Sequence, residues 1–199
     1  MAKERLKSPR ARLFVALDLP EEVREGIVLW GRKALSDPAL RPVASESLHV
    51  TLAFLGWTAE KEAVRLGEIV RAVAGPAPSL RLSDPVQRPE RGRARLFALP
   101  AESAATVELQ AALQEKLVAA RLYEPEKRPF WPHVTVARVR REERGSQRPA
   151  AVEKLPGALP KGLLRAFGGV RLTLYRSELQ PQGAQYTPLA QVELPRGRQ

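Results

Sequence analysis

The chain has 199 residues, 44% of them hydrophobic, and no cysteine, so disulfides, thiolate metal sites and cysteine nucleophiles are all excluded. Thirty-three basic residues stand against 22 acidic ones, a net charge of +11 that favours polyanionic partners. No apolar run approaches the ~20 residues of a membrane span, and the charged start is not followed by a signal-peptide core, so no membrane association and a cytoplasmic location are expected.

Residues 1–10, with Lys3, Arg5, Lys7 and Arg10, read as a basic tail, as do residues 195–199. The phrase Ala11-Arg12-Leu13-Phe14 opens the first strand. Pro20 then introduces a helix from Glu21 to Leu35, with Val23, Ile27, Trp30 and Ala34 on one stripe and Glu21-Glu22 at its positive end. The next strand begins at His49, where Val50, Leu52 and Phe54 alternate with His49, Thr51 and Ala53. A helix over Thr58 to Val73, stopped by Gly75 and Pro76, and a strand over Leu80 to Ser83 complete the first half.

The second half repeats this order. Ala94-Arg95-Leu96-Phe97 matches the opening phrase, and Ser103 caps a helix from Ala104 to Ala120, with stripes at Val107, Ala111, Gln114, Val118 and at Leu109, Leu113, Leu117. His133-Val134-Thr135-Val136-Ala137 then repeats the first histidine strand. The intervals from phrase to histidine are 38 and 39 positions. A looser stretch from Ala150 to Phe167, with some helical character, and a strand over Val170 to Thr173 follow.

These two are the only histidines in the chain, and each shares a strand face with a threonine two residues on. One imidazole can take a proton and the other give one near pH 7, while the hydroxyls hydrogen-bond anionic oxygens. His49 and His133 are therefore the candidate acid–base pair, and Thr51 and Thr135 the candidate phosphate-binding groups. No metal is expected: a catalytic zinc needs a third protein ligand, and Glu46 and Asp18 are near the motifs in sequence only. Phosphate-loop and dinucleotide glycine patterns are absent.

The repeated His-Val-Thr phrases, Arg128-Pro129-Phe130-Trp131-Pro132 before the second, Arg12 to Pro20 at the start, and Ser177-Glu178-Leu179 with Tyr186-Thr187-Pro188-Leu189 at the end together resemble the two-histidine phosphoesterase superfamily. Within it the chain is most similar to the RNA 2′,3′-cyclic phosphodiesterases, historically called 2′-5′ RNA ligases. The resemblance implies an α+β fold over residues 1–199: one domain of two lobes, each an antiparallel sheet flanked by helices, around a central groove. It implies metal-free opening of terminal 2′,3′-cyclic phosphates to 2′-phosphomonoesters, with His49 as proton donor to the leaving 3′ oxygen and His133 as base. The reverse 2′-5′ ligation would use the same groups and no nucleotide cofactor. The expected partners are ends of tRNA-like or oligomeric RNA, and the expected state is monomeric.

Further candidates for the cleft are Arg138, which strict alternation places opposite His133 unless the strand bulges, Trp131 beside Phe130, and Phe14 and Tyr186. The aromatics fit either base stacking or core packing. Two arginine clusters, Arg88 to Arg95 and Arg138 to Arg148, are candidate RNA contacts or solvated surface. Two other readings remain open: a two-histidine phosphodiesterase for a small cyclic nucleotide, and a non-catalytic RNA-binding protein.

Overall fold

A computed structural model describes residues 9–143, 145–180 and 183–195. The order is β1 (Arg10–Asp18), α1 (Glu21–Ala34), β2 (Leu40–Pro42), β3 (His49–Ala59), α2 (Ala63–Val73), β4 (Ser79–Leu82), β5 (Val86–Arg88), β6 (Leu96–Glu102), α3 (Ala104–Ala119), β7 (His133–Val139), β8 (Phe167–Gly168), β9 (Arg171–Gln180) and β10 (Gly183–Glu193). The α+β class and the repeated strand, helix, histidine strand are as the sequence indicates. The two half-sheets are joined edge to edge: the strand path β10-β9-β1-β3-β7-β6-β4-β8 is continuous and antiparallel, with β2 on β7 and β5 on β6.

Each half donates its trailing strands to the other. β4, which follows the first histidine strand in the chain, pairs with β6, whereas β9 and β10, which follow the second, extend the sheet beyond β1. The alternation of Leu13, Val15 and Leu17 in β1, Val50 in β3, Val134 in β7 and Leu172 and Leu174 in β9 sends one apolar face inward. Val23 and Ile27 of α1, Leu66 and Val70 of α2, and Leu113 and Leu117 of α3 join the same core. Phe14, Ala16 and Tyr175 form a smaller cluster with Tyr186. Every large side chain in the main core is hydrocarbon and close to fully buried, each contributing about 1.5–3 kcal/mol by removal from water.

Several boundaries differ from the sequence reading. β3 runs to Ala59 because β1 pairs along its whole length, Arg10 opposite Ala59, so α2 starts at Ala63 and not at Thr58. The stretch from Ala150 to Phe167 is not helical; Pro156, Gly157, Pro160 and Gly162 interrupt it, and it crosses α1, where the Trp30 indole N–H donates to the Ala158 carbonyl at 3.0 Å. On α3 the buried positions are Thr106, Gln110, Leu113 and Leu117, while Val107 and Val118 face solvent. Ser103 does cap that helix, its hydroxyl accepting from the Thr106 N–H at 3.0 Å. Arg10 and Pro195, expected in tails, are held in the fold: Arg10 opens β1, and the Pro195 carbonyl accepts from Ala77 N–H at 2.9 Å. Pro9 is held as well, its carbonyl accepting from Glu60 N–H at 2.9 Å, and residues 1–8 and 196–199 lie outside the described residues.

Candidate active site

The two histidine strands are neighbours in the sheet. They meet through one residue pair, Val50 opposite Val134. Extending that antiparallel register one step in each direction sets His49 across from Thr135 and Thr51 across from His133. Two His-x-Thr segments are thereby related by a near two-fold axis through the valine pair, and all four polar side chains share the face away from Val50 and Val134, which are fully buried. The seam is short because β2 takes over the edge of β7 at Ala137 to Val139 and Val43 N–H donates to the Val136 carbonyl at 2.9 Å, which splays β3 and β7 apart.

Strict alternation fails just past each motif, for the same reason in both strands. In β3 the register to β1 slips at Leu52, and in β7 the register to β6 slips at Val136. Each slip is a bulge, an extra residue that turns the following side chains to the other face. Phe54, expected inside, is consequently 56% exposed. Arg138, the corresponding position of the second motif, is exposed too, and its positive charge lowers the pKa of both imidazoles. The bulge that a site role for Arg138 required is present.

The surroundings of the two histidines differ. His49 lies in an aromatic wall: Phe14 stacks on it at 5.1 Å, Tyr186 meets it edge-on at 5.5 Å, and Tyr175 lies 6.1 Å away. Phe14 is itself buried, so it backs His49 and presents no free face to a ligand. Nε2 of His49 lies 3.1 Å from the Thr51 hydroxyl. Burial pushes its pKa down to about 4; the Asp18 carboxylate and the Ser47 carbonyl pull it up, and His133 and Arg138 push it further down.

Asp18 is more than a sequence neighbour. It stands directly opposite His49 on β1 and opposite Arg171 on β9. Its buried carboxylate accepts hydrogen bonds from Arg171 Nε at 2.6 Å, the Thr173 hydroxyl at 2.8 Å and the Tyr175 hydroxyl at 3.0 Å. Burial and the same carboxylate raise the Tyr175 pKa to about 12, which keeps the phenol a donor.

His133 has a different neighbourhood. Its Nδ1 lies 2.7 Å from the Trp131 carbonyl, an acceptor only, so Nδ1 donates and Nε2 retains its lone pair. The Trp131 ring stacks on the imidazole at 4.2 Å and 16°, and the Arg88 guanidinium lies over the same indole at 3.8 Å. Trp131 thus already packs against both His133 and Arg88. Burial lowers the His133 pKa, the Trp131 carbonyl opposes this, and Arg88 and Arg138 add to the lowering.

Both arginine clusters divide. Arg93 donates to Glu142 and to the Pro149 carbonyl, and Arg148 pairs with Glu142, so these charges tie the β5–β6 hairpin to the loop after β7. Arg88 and Arg95 instead line a groove of about 990 Å³ that starts at Thr51 and His133. Arg144 lies outside the described residues. Sequence reasoning brought together His49, His133, Thr51, Thr135, Phe14, Tyr186 and Arg138. It missed Asp18, Tyr175 and Phe54, and it did not single out Arg88; only pairing registers reveal these. Among the described residues, no group of three or more His, Cys, Asp or Glu side chains forms a metal-binding cluster, and no helix is long and apolar enough to cross a membrane.

Fold and site together define an α+β phosphoesterase scaffold with a duplicated His-x-Thr pair. The chain belongs to the 2′-5′ RNA ligase superfamily, whose family model matches residues 20–178. It is similar to the RNA 2′,3′-cyclic phosphodiesterase of Thermus thermophilus, 34% identical over 192 residues that cover 92% of this chain and 90% of the relative. The RNA 2′,3′-cyclic phosphodiesterase of Escherichia coli is 30% identical over 178 residues, 89% of this chain and 93% of the relative. Among solved structures, E. coli LigT complexed with 3′-AMP superposes with a TM-score of 0.74 at 30% identity, covering 94% of this chain and 99% of that one.

Proposed function

We propose that this chain is an RNA 2′,3′-cyclic phosphodiesterase that opens terminal cyclic phosphates to 2′-phosphomonoesters by metal-free acid–base catalysis, with 2′-5′ ligation as the reverse. The observation that carries this reading is the near two-fold array of His49, Thr51, His133 and Thr135 on one face of the sheet. The family and its named relatives supply the substrate.

The surroundings support distinct roles. His133, with Nδ1 donated to a carbonyl and guanidinium charge nearby, offers a neutral Nε2 to take the proton of the attacking water. His49, with the Asp18 carboxylate beside it, delivers a proton to the departing 3′ oxygen. An anionic phosphate between the rings adds to Asp18 in holding that proton on His49 once substrate is bound. As the water attacks phosphorus, the P–O3′ bond breaks, the water's proton passes to His133 and the His49 proton to the 3′ oxygen. Thr51, Thr135 and Arg138 hold the non-bridging oxygens for in-line displacement. Residues 1–199 act in this reading as one two-lobed domain, monomeric and cytoplasmic.

The test is to incubate an oligoribonucleotide ending in a 2′,3′-cyclic phosphate with the protein and with His49→Ala and His133→Ala, in chelator. Wild type should yield the 2′-phosphate, and each variant should lose about 100-fold or more, the double variant much less than the product of the two. Full activity in either single variant would refute the two-histidine mechanism, and a 3′-phosphate product would overturn the role assignment.

A further inference from the structure

A second groove lies away from the histidines. On the opposite face of the sheet, α1 packs Val23 and Ile27 into the core and turns another of its faces to this groove. Glu22, Gly26, Leu29 and Lys33 fall at i, i+4, i+7 and i+11, one continuous stripe of about 16 Å at 1.5 Å per residue. The other wall is the segment from Lys154 to Leu163, which runs antiparallel to the helix. Lys154 Nζ donates to the Ser36 hydroxyl at 3.0 Å just past α1, and the Trp30 N–H reaches the Ala158 carbonyl midway. Leu163 lies so close to Gly26 that a Cβ there would come within 2.7 Å of its Cδ2. Hydrogen bonds fix this wall: the buried Asp37 carboxylate accepts from the Glu153 and Lys154 N–H groups at 2.9 and 2.8 Å, and Asp84 accepts from the Leu159 N–H at 2.8 Å. The groove has a volume of about 780 Å³, within the ~300–1,000 Å³ of small-molecule sites.

Its lining is sorted along its length. Lys33 and Lys154 stand at the end where α1 stops, neither with an ion-pair partner among the described residues, and Glu22 stands at the other end. Between them every lining side chain is apolar, and the one polar atom, the Trp30 indole nitrogen, is taken up by Ala158. Leu29 and Leu155 are 66% and 64% exposed, an apolar rim on both walls. The negative pole of the α1 dipole lies at the lysine end, but it amounts to about half a charge against two full ones, so an anion is favoured there.

We infer that this groove binds a long-chain fatty acid, its carboxylate at Lys33 and Lys154 and its hydrocarbon tail along the α1 stripe toward Glu22. A tetrahedral chain with bonds of ~1.5 Å advances about 1.25 Å per carbon, so about 13 carbons span the stripe. A nucleotide or an extended peptide would lay polar groups over a floor that returns no hydrogen bonds, whereas an alkyl chain loses none. The inference is independent of the reading of the histidine site.

The test is a fluorescence titration of the full chain with cis-parinaric acid, a long-chain carboxylate that brightens on leaving water. It is run on wild type, Lys33→Ser/Lys154→Ser and Leu29→Gln/Leu155→Gln. All four side chains are exposed, so both variants should keep the wild-type unfolding temperature. Wild type should bind one molecule per chain, displaced by palmitate and at least tenfold less well by octanoate, which lacks the length, or hexadecanol, which lacks the charge. Each double variant should weaken binding at least tenfold. No saturable binding by wild type below about 100 μM, or unchanged affinity in either variant, would overturn the assignment. Binding confined to phosphatidylglycerol vesicles, with none to the free acid, would also overturn it and mark a membrane-facing surface instead.

Discussion

Asp18→Asn removes one negative charge beside His49 while keeping the size of the side chain and an oxygen to accept from Thr173 and Tyr175. Directly opposed residues on paired strands hold their Cβ atoms about 5 Å apart, and at an effective dielectric of about 20 a unit charge at that distance is worth about 3 kcal/mol. Arg171, whose Nε is 2.6 Å from the carboxylate but whose side chain is 34% exposed, cancels part of this field. A net effect of about 1.4 kcal/mol remains, one pKa unit on His49. The sign follows from the proposed role of His49 as acid: the carboxylate favours imidazolium, so its removal makes His49 harder to protonate. At pH 7, kcat/KM should fall about tenfold, and the deficit should shrink only as pH falls through about 4, where His49 of the wild type is protonated and that of the variant, about one unit lower, begins to follow. The assay is a pH series of kcat/KM on a cyclic-phosphate oligonucleotide, with thermal unfolding of both proteins as the control for folding. A loss of equal size at every pH would show that Asp18 acts only as a structural hydrogen-bond acceptor and would refute the electrostatic argument.

Both imidazoles are depressed below 6.5 in the free protein, so the kcat/KM profile should peak on the acid side of neutrality, with the kcat profile displaced to higher pH by the bound phosphate; coincident profiles would count against this. The same depression makes neutral His49 the folded form, so stability is complete above pH 6.5 and is lost as pH falls toward 4. In His49→Phe, the drop in denaturant-derived stability between pH 7.5 and 4.5 should be smaller by about 2 kcal/mol, and an unchanged drop would contradict it. Trp131→Ala removes the stack on His133, worth about 0.5–1.5 kcal/mol, and should lower kcat several-fold with little change in KM, with Trp131→Phe restoring most of it; a loss in KM alone would make Trp131 a base platform. Gly169→Ala would put a Cβ 2.6 Å from Leu17 Cδ1 in the core, so it should destabilise by about 1–3 kcal/mol in chemical denaturation, and a neutral result would refute this packing.

Local signals were sufficient for what is local. The periodicity of Val23 and Ile27, the Ser103 cap and the alternation around Val50 and Val134 each depend on contacts within a few residues, and each is found. The two histidines were legible because a repeated phrase at nearly equal intervals is a property of the chain itself. Phe54 and Arg138 were legible only conditionally, since the bulges at Leu52 and Val136 arise in pairing with β1 and β6. Asp18 was misjudged for the same reason: its relation to His49 is a register across two strands, invisible along one. The Ala150 to Phe167 stretch carried spacing compatible with a helix, but its prolines and glycines and its packing on α1 prevail over that spacing.

The exchange of trailing strands between the two halves bears on how the chain reaches this fold. The bond from Arg171 to Asp18 spans 153 residues, and β1 has β3 on one edge from the same half of the chain but β9, from the far end, on the other. Such non-local pairing makes for slow folding, because the entropy of closing a long loop precedes the contacts that reward it. During synthesis the first half is an incomplete sheet with its β1 edge unsatisfied, a template for pairing with another nascent chain. The Asp18 carboxylate likewise finds Arg171, Thr173 and Tyr175 only when β9 docks. The strand that relieves the exposed edge therefore also completes the surroundings of His49, so a chain arrested before β9 lacks both its protective edge and the Asp18 network beside that imidazole.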